Sequence, residues 1–247
     1  VPIKFEIYVG SVDGSFNALR PDGRLRWSYV CDEPIFSTAA VSRIGAVYVG
    51  CDDNNLIAFS TDGVVRWTYQ MDHDVDSAPV IGDDGLIYVG GDGLHAVRSD
   101  GKREFKIWLG GHVSASPTVR GDGVIVAGSH DHRLYAVDSK GTALWSFSTG
   151  GPIQGPAAAL DGDDVVFGSD DAYIYRLSPL GSLRWKLKTD TYVALHHLKD
   201  NGNICNPKRM VPLVLAGEID EVLIHLPEVE EPLRDCEKKV NEEWSVL

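Results

Sequence analysis

The side chains best able to do chemistry in this chain are scattered histidines and carboxylates. His130 and His132 flank Asp131, so alternation along extended backbone would set both imidazoles on one face. With His73 and His112 they could offer a metal site or an acid–base pair. Asp52-Asp53-Asn54-Asn55 and Asp170-Asp171 resemble half of a calcium loop, but glycine is missing at the sixth position and glutamate at the twelfth. Asp and Asn at such places are what any tight turn needs. Cys31, Cys51, Cys205 and Cys236 form no C-x-x-C and no Cys/His zinc spacing. Cys31 could pair with Cys51 and Cys205 with Cys236, or all could stay free thiols. No Gly-rich phosphate loop is present, and no Ser/His/Asp or Cys/His nucleophile has motif support. The expectation is no catalytic residue, no metal and no cofactor.

The elements that hold these residues repeat. Gly10, Gly50, Gly90, Gly128 and Gly168 each close a short apolar run, such as Val47-Tyr48-Val49 or Val165-Val166-Phe167. A polar turn and a second apolar run follow, then a tight turn, for example Asp22-Gly23 or Asp62-Gly63, and a tryptophan: Trp27, Trp67, Trp145 and Trp185. Asp-Gly is a strong hairpin signal. A small-residue stretch, Ser114 to Pro117 or Ile153 to Leu160, leads to the next copy. Four short strands every ~40 residues predict an all-β fold, a β-propeller of four-stranded antiparallel blades. The small-residue strand should line the axis. The tryptophan strand should be outermost, its ring packed on the next blade.

The repeats run about 5–29, 35–69, 75–108, 113–147, 153–187 and 192–247 of one domain, 1–247. The third is a residue short at Gly91-Asp92-Gly93, with Phe105 or Trp108 in place of the aligned tryptophan. The sixth is irregular, with insertions near 204–210 and 227–239 and Trp244 in the outer place. Six outer strand sets against five inner strands leave two readings, a six-bladed ring with an imperfect seam or about six blades of a ring of seven or eight with residues absent at one or both ends; the start inside the first repeat is read as a mature form or a fragment.

Residues 46–69 and 124–147 approach the string Val-Tyr-Val-Gly-Ser-x-Asp-x-x-Leu-Tyr-Ala-Val-Asp-x-x-Gly-x-x-x-Trp-x-Phe. This resembles the pyrroloquinoline-quinone-like propeller repeat over residues 5–198. The repeat occurs in quinoprotein dehydrogenases, in outer-membrane-assembly scaffolds of the BamB type and in the lumenal domains of unfolded-protein sensor kinases. A WD40 reading is weaker, since no Trp-Asp dipeptide occurs. A dehydrogenase of this kind would bring a quinone, calcium, a catalytic aspartate and usually adjacent cysteines. This chain has no Cys-Cys, and Glu33, Asp74, Asp76 and Asp190 are sparse for a cage of six to eight oxygens. The reading that remains is a non-enzymatic binding or scaffold propeller with a protein partner. The alternatives are a quinone- or metal-dependent oxidoreductase, and a sensor or adhesion ectodomain of a larger protein. The resemblance implies an extracytoplasmic location.

A net charge of −13 argues against nucleic acid and against an anionic membrane surface. No apolar run is long enough to span a bilayer. Between Glu218 and Glu243 ten acids stand against Arg234, Lys238 and Lys239, a solvated acidic segment. Oligomeric state is not encoded in any of these features. Partners of propellers meet loops at the mouth of the channel. Those loops are Asp32 to Phe36, Asp72 to Asp76, Gly110 to Val113 and Gly151 to Gln154. From them the expected contact residues are Phe36, His73, Asp74, His112 and Gln154. His130 and His132, in the mid-blade turn, are expected at the opposite end of the blade from His73 and His112.

Overall fold

Among the described residues, nineteen short strands in five antiparallel sheets carry the repeat. A computed structural model describes residues 6–189, which lie within one compact unit, Val1–His197. The first sheet has three strands among the described residues: β1 (Ile7–Gly10), β2 (Ser15–Leu19) and β3 (Leu25–Val30). The second runs β4 (Ala40–Val41), β5 (Val47–Cys51), β6 (Asn55–Phe59) and β7 (Val65–Gln70). The third runs β8 (Val80–Ile81), β9 (Ile87–Gly91), β10 (Gly93–Val97) and β11 (Arg103–Ile107). The fourth runs β12 (Thr118–Val119), β13 (Ile125–Ser129), β14 (Arg133–Val137) and β15 (Ala143–Ser148). The fifth runs β16 (Ala158–Ala159), β17 (Val165–Ser169), β18 (Tyr173–Leu177) and β19 (Leu183–Lys188). Strand order follows chain order in each, the meander of a propeller blade. The proposed sixth repeat, with Asp190, His196, His197, Cys205, Cys236 and Trp244, lies outside the described residues.

Burial explains which apolar runs become which strand. β5, β9, β13 and β17 are buried at every residue, as continuous apolar sequence requires. β7 and β15 alternate between exposed and partly buried, so one face meets solvent. The small-residue segments give much shorter strands than Ile153 to Leu160 suggests: only Ala158 and Ala159 pair with β17. Pro79, Pro117 and Pro156 stand just before the pairs in three blades and lack the N–H a ladder needs. The inner strands β8, β12 and β16 touch in succession, as strands around an axis must.

The glycine echo has a packing cause. A Cβ on Gly50 would lie 2.4 Å from the Val75 carbonyl oxygen, and one on Gly128 would lie 2.4 Å from Ile153 Cγ2. Each glycine makes room for the chain entering the following blade. The tryptophans also couple neighbours. Trp27 Nε1 donates to Thr61 O (3.0 Å), Trp67 to Ser99 O (2.9 Å) and Trp145 to Pro179 O (2.9 Å). Each ring lies against a turn glycine of the next blade, Gly63, Gly101 or Gly181. In the third blade Phe105 takes this place on Gly141, while Trp108 is 63% exposed.

Candidate functional site

Successive strands of a blade run in opposite directions, so turns two strands apart lie at the same end. The turn between β13 and β14 therefore shares an end with the link from β11 to β12. His130 N donates to His112 O (2.9 Å), and Ile153 N donates to Ser129 O (3.2 Å). The same link-to-turn bond recurs as Asp52 N to Pro34 O (3.1 Å) and Asp170 N to Pro152 O (2.9 Å). This corrects the expectation that His130 would lie away from His73 and His112. The ring centroids of His73 and His112 are 4.3 Å apart, and those of His112 and His130 are 5.3 Å apart, edge to face. His132 sits in the left-handed region (φ 70°), and its carbonyl accepts from Thr149 N and Oγ1.

One surface results at this end. In each entering link a buried apolar residue, Ile35, Val75, Val113 or Ile153, anchors the chain. The next residue is the one free to face outward: Phe36, Asp76, Ser114 or Gln154. Ser114 Oγ lies 2.8 Å from His130 Nε2, and Gln154 Nε2 donates to Asp170. Asp52 Oδ1 is buried with no donor to meet it, because its neighbour is a second carboxyl, Asp76. Burial first, then that carboxyl and the charges of Asp74 and Glu33, push Asp52 up to about 7.

The five expected contact residues are placed as follows. Phe36 is 59% exposed, unusual for a phenylalanine without a partner. His73 and Asp74 have half-exposed side chains, with Asp74 N donating to His73 Nδ1 (2.9 Å). His112 Nε2 lies 3.4 Å from Asp74 O, so His112 links two entering segments. Gln154 is exposed beside Asp170. Sequence reasoning did not count Asp52, Asp76, Ser114, His130 and Asp170 among the contact residues. The signal lay in the register: the residue after each anchor and the residue after Cys51, Ser129 and Ser169 occupy equivalent places.

One candidate acid–base contact lies on this surface, between Ser114 and His130. Partial burial and His112 alongside lower the His130 pKa, favouring neutral imidazole. Ser114 is within proton-transfer reach of His130, but no carboxylate among the described residues bonds His130 Nδ1 to orient it. The three histidines do not bring their nitrogens to one point. No helix among the described residues is long and apolar enough to cross a membrane.

Solved structures that share this architecture include two bacterial proteins. BamB from Moraxella catarrhalis superposes with a TM-score of 0.64 at 21% identity, covering 74% of this chain. The match covers 57% of the Moraxella chain, so this chain spans little more than half its length. A Bacteroides caccae protein of unknown function gives a TM-score of 0.57 at 15% identity, over 77% of each chain. No curated protein matches by sequence. The family model described as outer membrane protein assembly factor BamB matches residues 5–83 and 70–201. Those two matches span the repeats from the first glycine run to the entrance of the irregular tail, and on them this β-propeller chain belongs to the BamB family.

Proposed function

We propose that this chain is a binding propeller that holds a protein partner on its channel-mouth face and does no chemistry on it. The observation that carries the reading is the convergence of links and mid-blade turns at one end of every described blade. Side chains that do not repeat, from Phe36 to Gln154, thereby form one continuous surface on a repeating scaffold. Its acids, Asp52, Asp74, Asp76 and Asp170, and its exposed Phe36 suit a partner segment bearing basic and apolar side chains. The family's description as an outer membrane protein assembly factor favours an extracytoplasmic scaffold.

A photo-reactive side chain at Phe36 or Gln154 is expected to crosslink one partner, while the same group at Lys140, in the turn at the far end of the fourth blade, is not. Asp74→Lys, Phe36→Ala and His112→Ala should each reduce that capture. Capture that survives all three substitutions, or that is equal from Lys140, would place the partner elsewhere.

A further inference from the structure

At three junctions between blades the register brings two positions together. One lies one or two residues after an outer strand; the other follows the echo glycine of the next blade. Leu109 and Ser129 are such a pair, with Ser129 Oγ donating to Leu109 O (2.9 Å). Met71 and Gly91 are another, where a Cβ on the glycine would come 2.9 Å from Met71 Sδ. At the junction of the first two blades both positions are cysteines, Cys31 and Cys51, buried at 5% and 0% exposure.

A third departure from the repeat falls beside them. The turn aspartate at Asp131 and Asp171 accepts from a backbone N–H through Oδ1 and from the Tyr135 or Tyr175 hydroxyl through Oδ2. Asp53 keeps the backbone bond, from Asn55 N at 3.2 Å. The tyrosine position is Ile57, so no hydroxyl meets its second oxygen. Cys31, Cys51 and Asp53 instead each place one donor atom within 4.8 Å of the other two.

We propose that Cys31, Cys51 and Asp53 form a binding site for one thiophilic divalent cation of the zinc type at this junction. Tetrahedral zinc with bonds of about 2.3 Å to sulfur and about 2.0 Å to oxygen sets its ligand atoms roughly 3.5–3.8 Å apart. The three donors, within 4.8 Å of one another, need to close by at most about 1.3 Å to reach that geometry. Two sulfurs select zinc over magnesium or calcium, which take oxygen ligands. Three protein donors leave one of four positions open. Binding forms two metal–thiolate bonds and one metal–carboxylate bond and releases two thiol protons to solvent. A plain disulfide would leave the carboxylate unused. This site is independent of the channel-mouth reading.

The test uses the full chain with Cys205→Ser and Cys236→Ser, reduced and stripped with a chelator. Cobalt(II) should bind one per chain with thiolate-to-metal charge-transfer absorption, and zinc(II) should displace it. Cys51→Ser should abolish the absorption. Asp53→Asn keeps the Oδ1 acceptor for Asn55 and should leave the metal-free Tm unchanged. It should retain the thiolate band yet weaken zinc by more than about tenfold, the loss that even an outer partner of a metal ligand costs. The proposal falls if the folded, reduced parent gives no thiolate band, or if the band survives a Cys31→Ser/Cys51→Ser double variant. It also falls if Asp53→Asn binds like the parent. A mass lower by two hydrogens before reduction, with no cobalt uptake after it, would make the pair a disulfide instead.

Discussion

At the scale of single residues, the repeat asks for one backbone conformation that side chains resist. Gly14, Asn54, His132 and Ala172 occupy the same turn position, all with positive φ. Glycine and asparagine tolerate it, but alanine at φ 64° brings Cβ too close to the backbone. The structure keeps Ala172 there because its carbonyl accepts from Thr189 N (2.8 Å) and Oγ1 (2.9 Å). Ala172→Gly should relieve the strain and raise unfolding stability by up to about 1 kcal/mol, net of the added chain entropy. Urea denaturation checks it, and a loss of stability would show that the turn carries no strain.

At the scale of elements, blades are joined by a ring seated on a glycine turn and by polar links across the junction. Trp67→Phe keeps a ring over Gly101 but leaves Ser99 O without its donor, and should cost about 1 kcal/mol. Gly101→Ala should cost more, since φ is +83° and the new Cβ would lie 2.7 Å from the Trp67 ring. The order of the two losses in thermal melts tests whether ring seating outweighs the hydrogen bond. The junction of the second and third blades adds a buried network. His95, buried, lies with Nε2 2.8 Å from Asp92 Oδ1 and Nδ1 2.9 Å from the Tyr69 hydroxyl, and Lys106 bonds Asp92 and Asp72. Burial lowers the His95 pKa, outweighing the Asp92 charge. Burial alone would raise Asp92, but its bonds to Lys106 and His95 hold it down at about 2. Both shifts act in the same direction. Below about 6.5 the unfolded chain takes up a proton that His95 refuses, and below about 4 it takes up one that Asp92 refuses until about 2. Tm should therefore fall as pH drops from about 7, and His95→Gln should flatten the first part of that fall. An equally steep decline in the variant would assign it to other groups.

At the scale of the whole molecule, the periodic part of the architecture was legible and the parts that depend on direction were not. Echo glycines, hairpin turns and outer tryptophans each have a local chemical reason, so spacing alone predicted the blade. The meeting of His130 with His112 needed strand polarity, counted through the meander, to say which turns share an end. The site at Cys31, Cys51 and Asp53 needed register between blades, because residues twenty apart meet only when one blade docks on the next. The two-residue inner strands were hidden because small side chains and prolines read alike in a strand and in a packed link. The same blade geometry makes a prediction for the folded chain as a whole. β5, β9, β13 and β17 are buried along their length and hydrogen-bonded to β6, β10, β14 and β18 on one side and to the short inner strands on the other. β7, β11, β15 and β19 each pair with one strand among the described residues and, like β3, consist of exposed and half-buried residues. Amide exchange in native buffer should then rise and fall with a period of about 40 residues, slowest in the buried strands and faster by orders of magnitude in the outer ones. Mass-spectrometric exchange resolves this blade by blade. Uniform protection across all four strands would mean that blades open only as a block, with the outer strand held as firmly by its ring and turn as the buried strands are by their ladders.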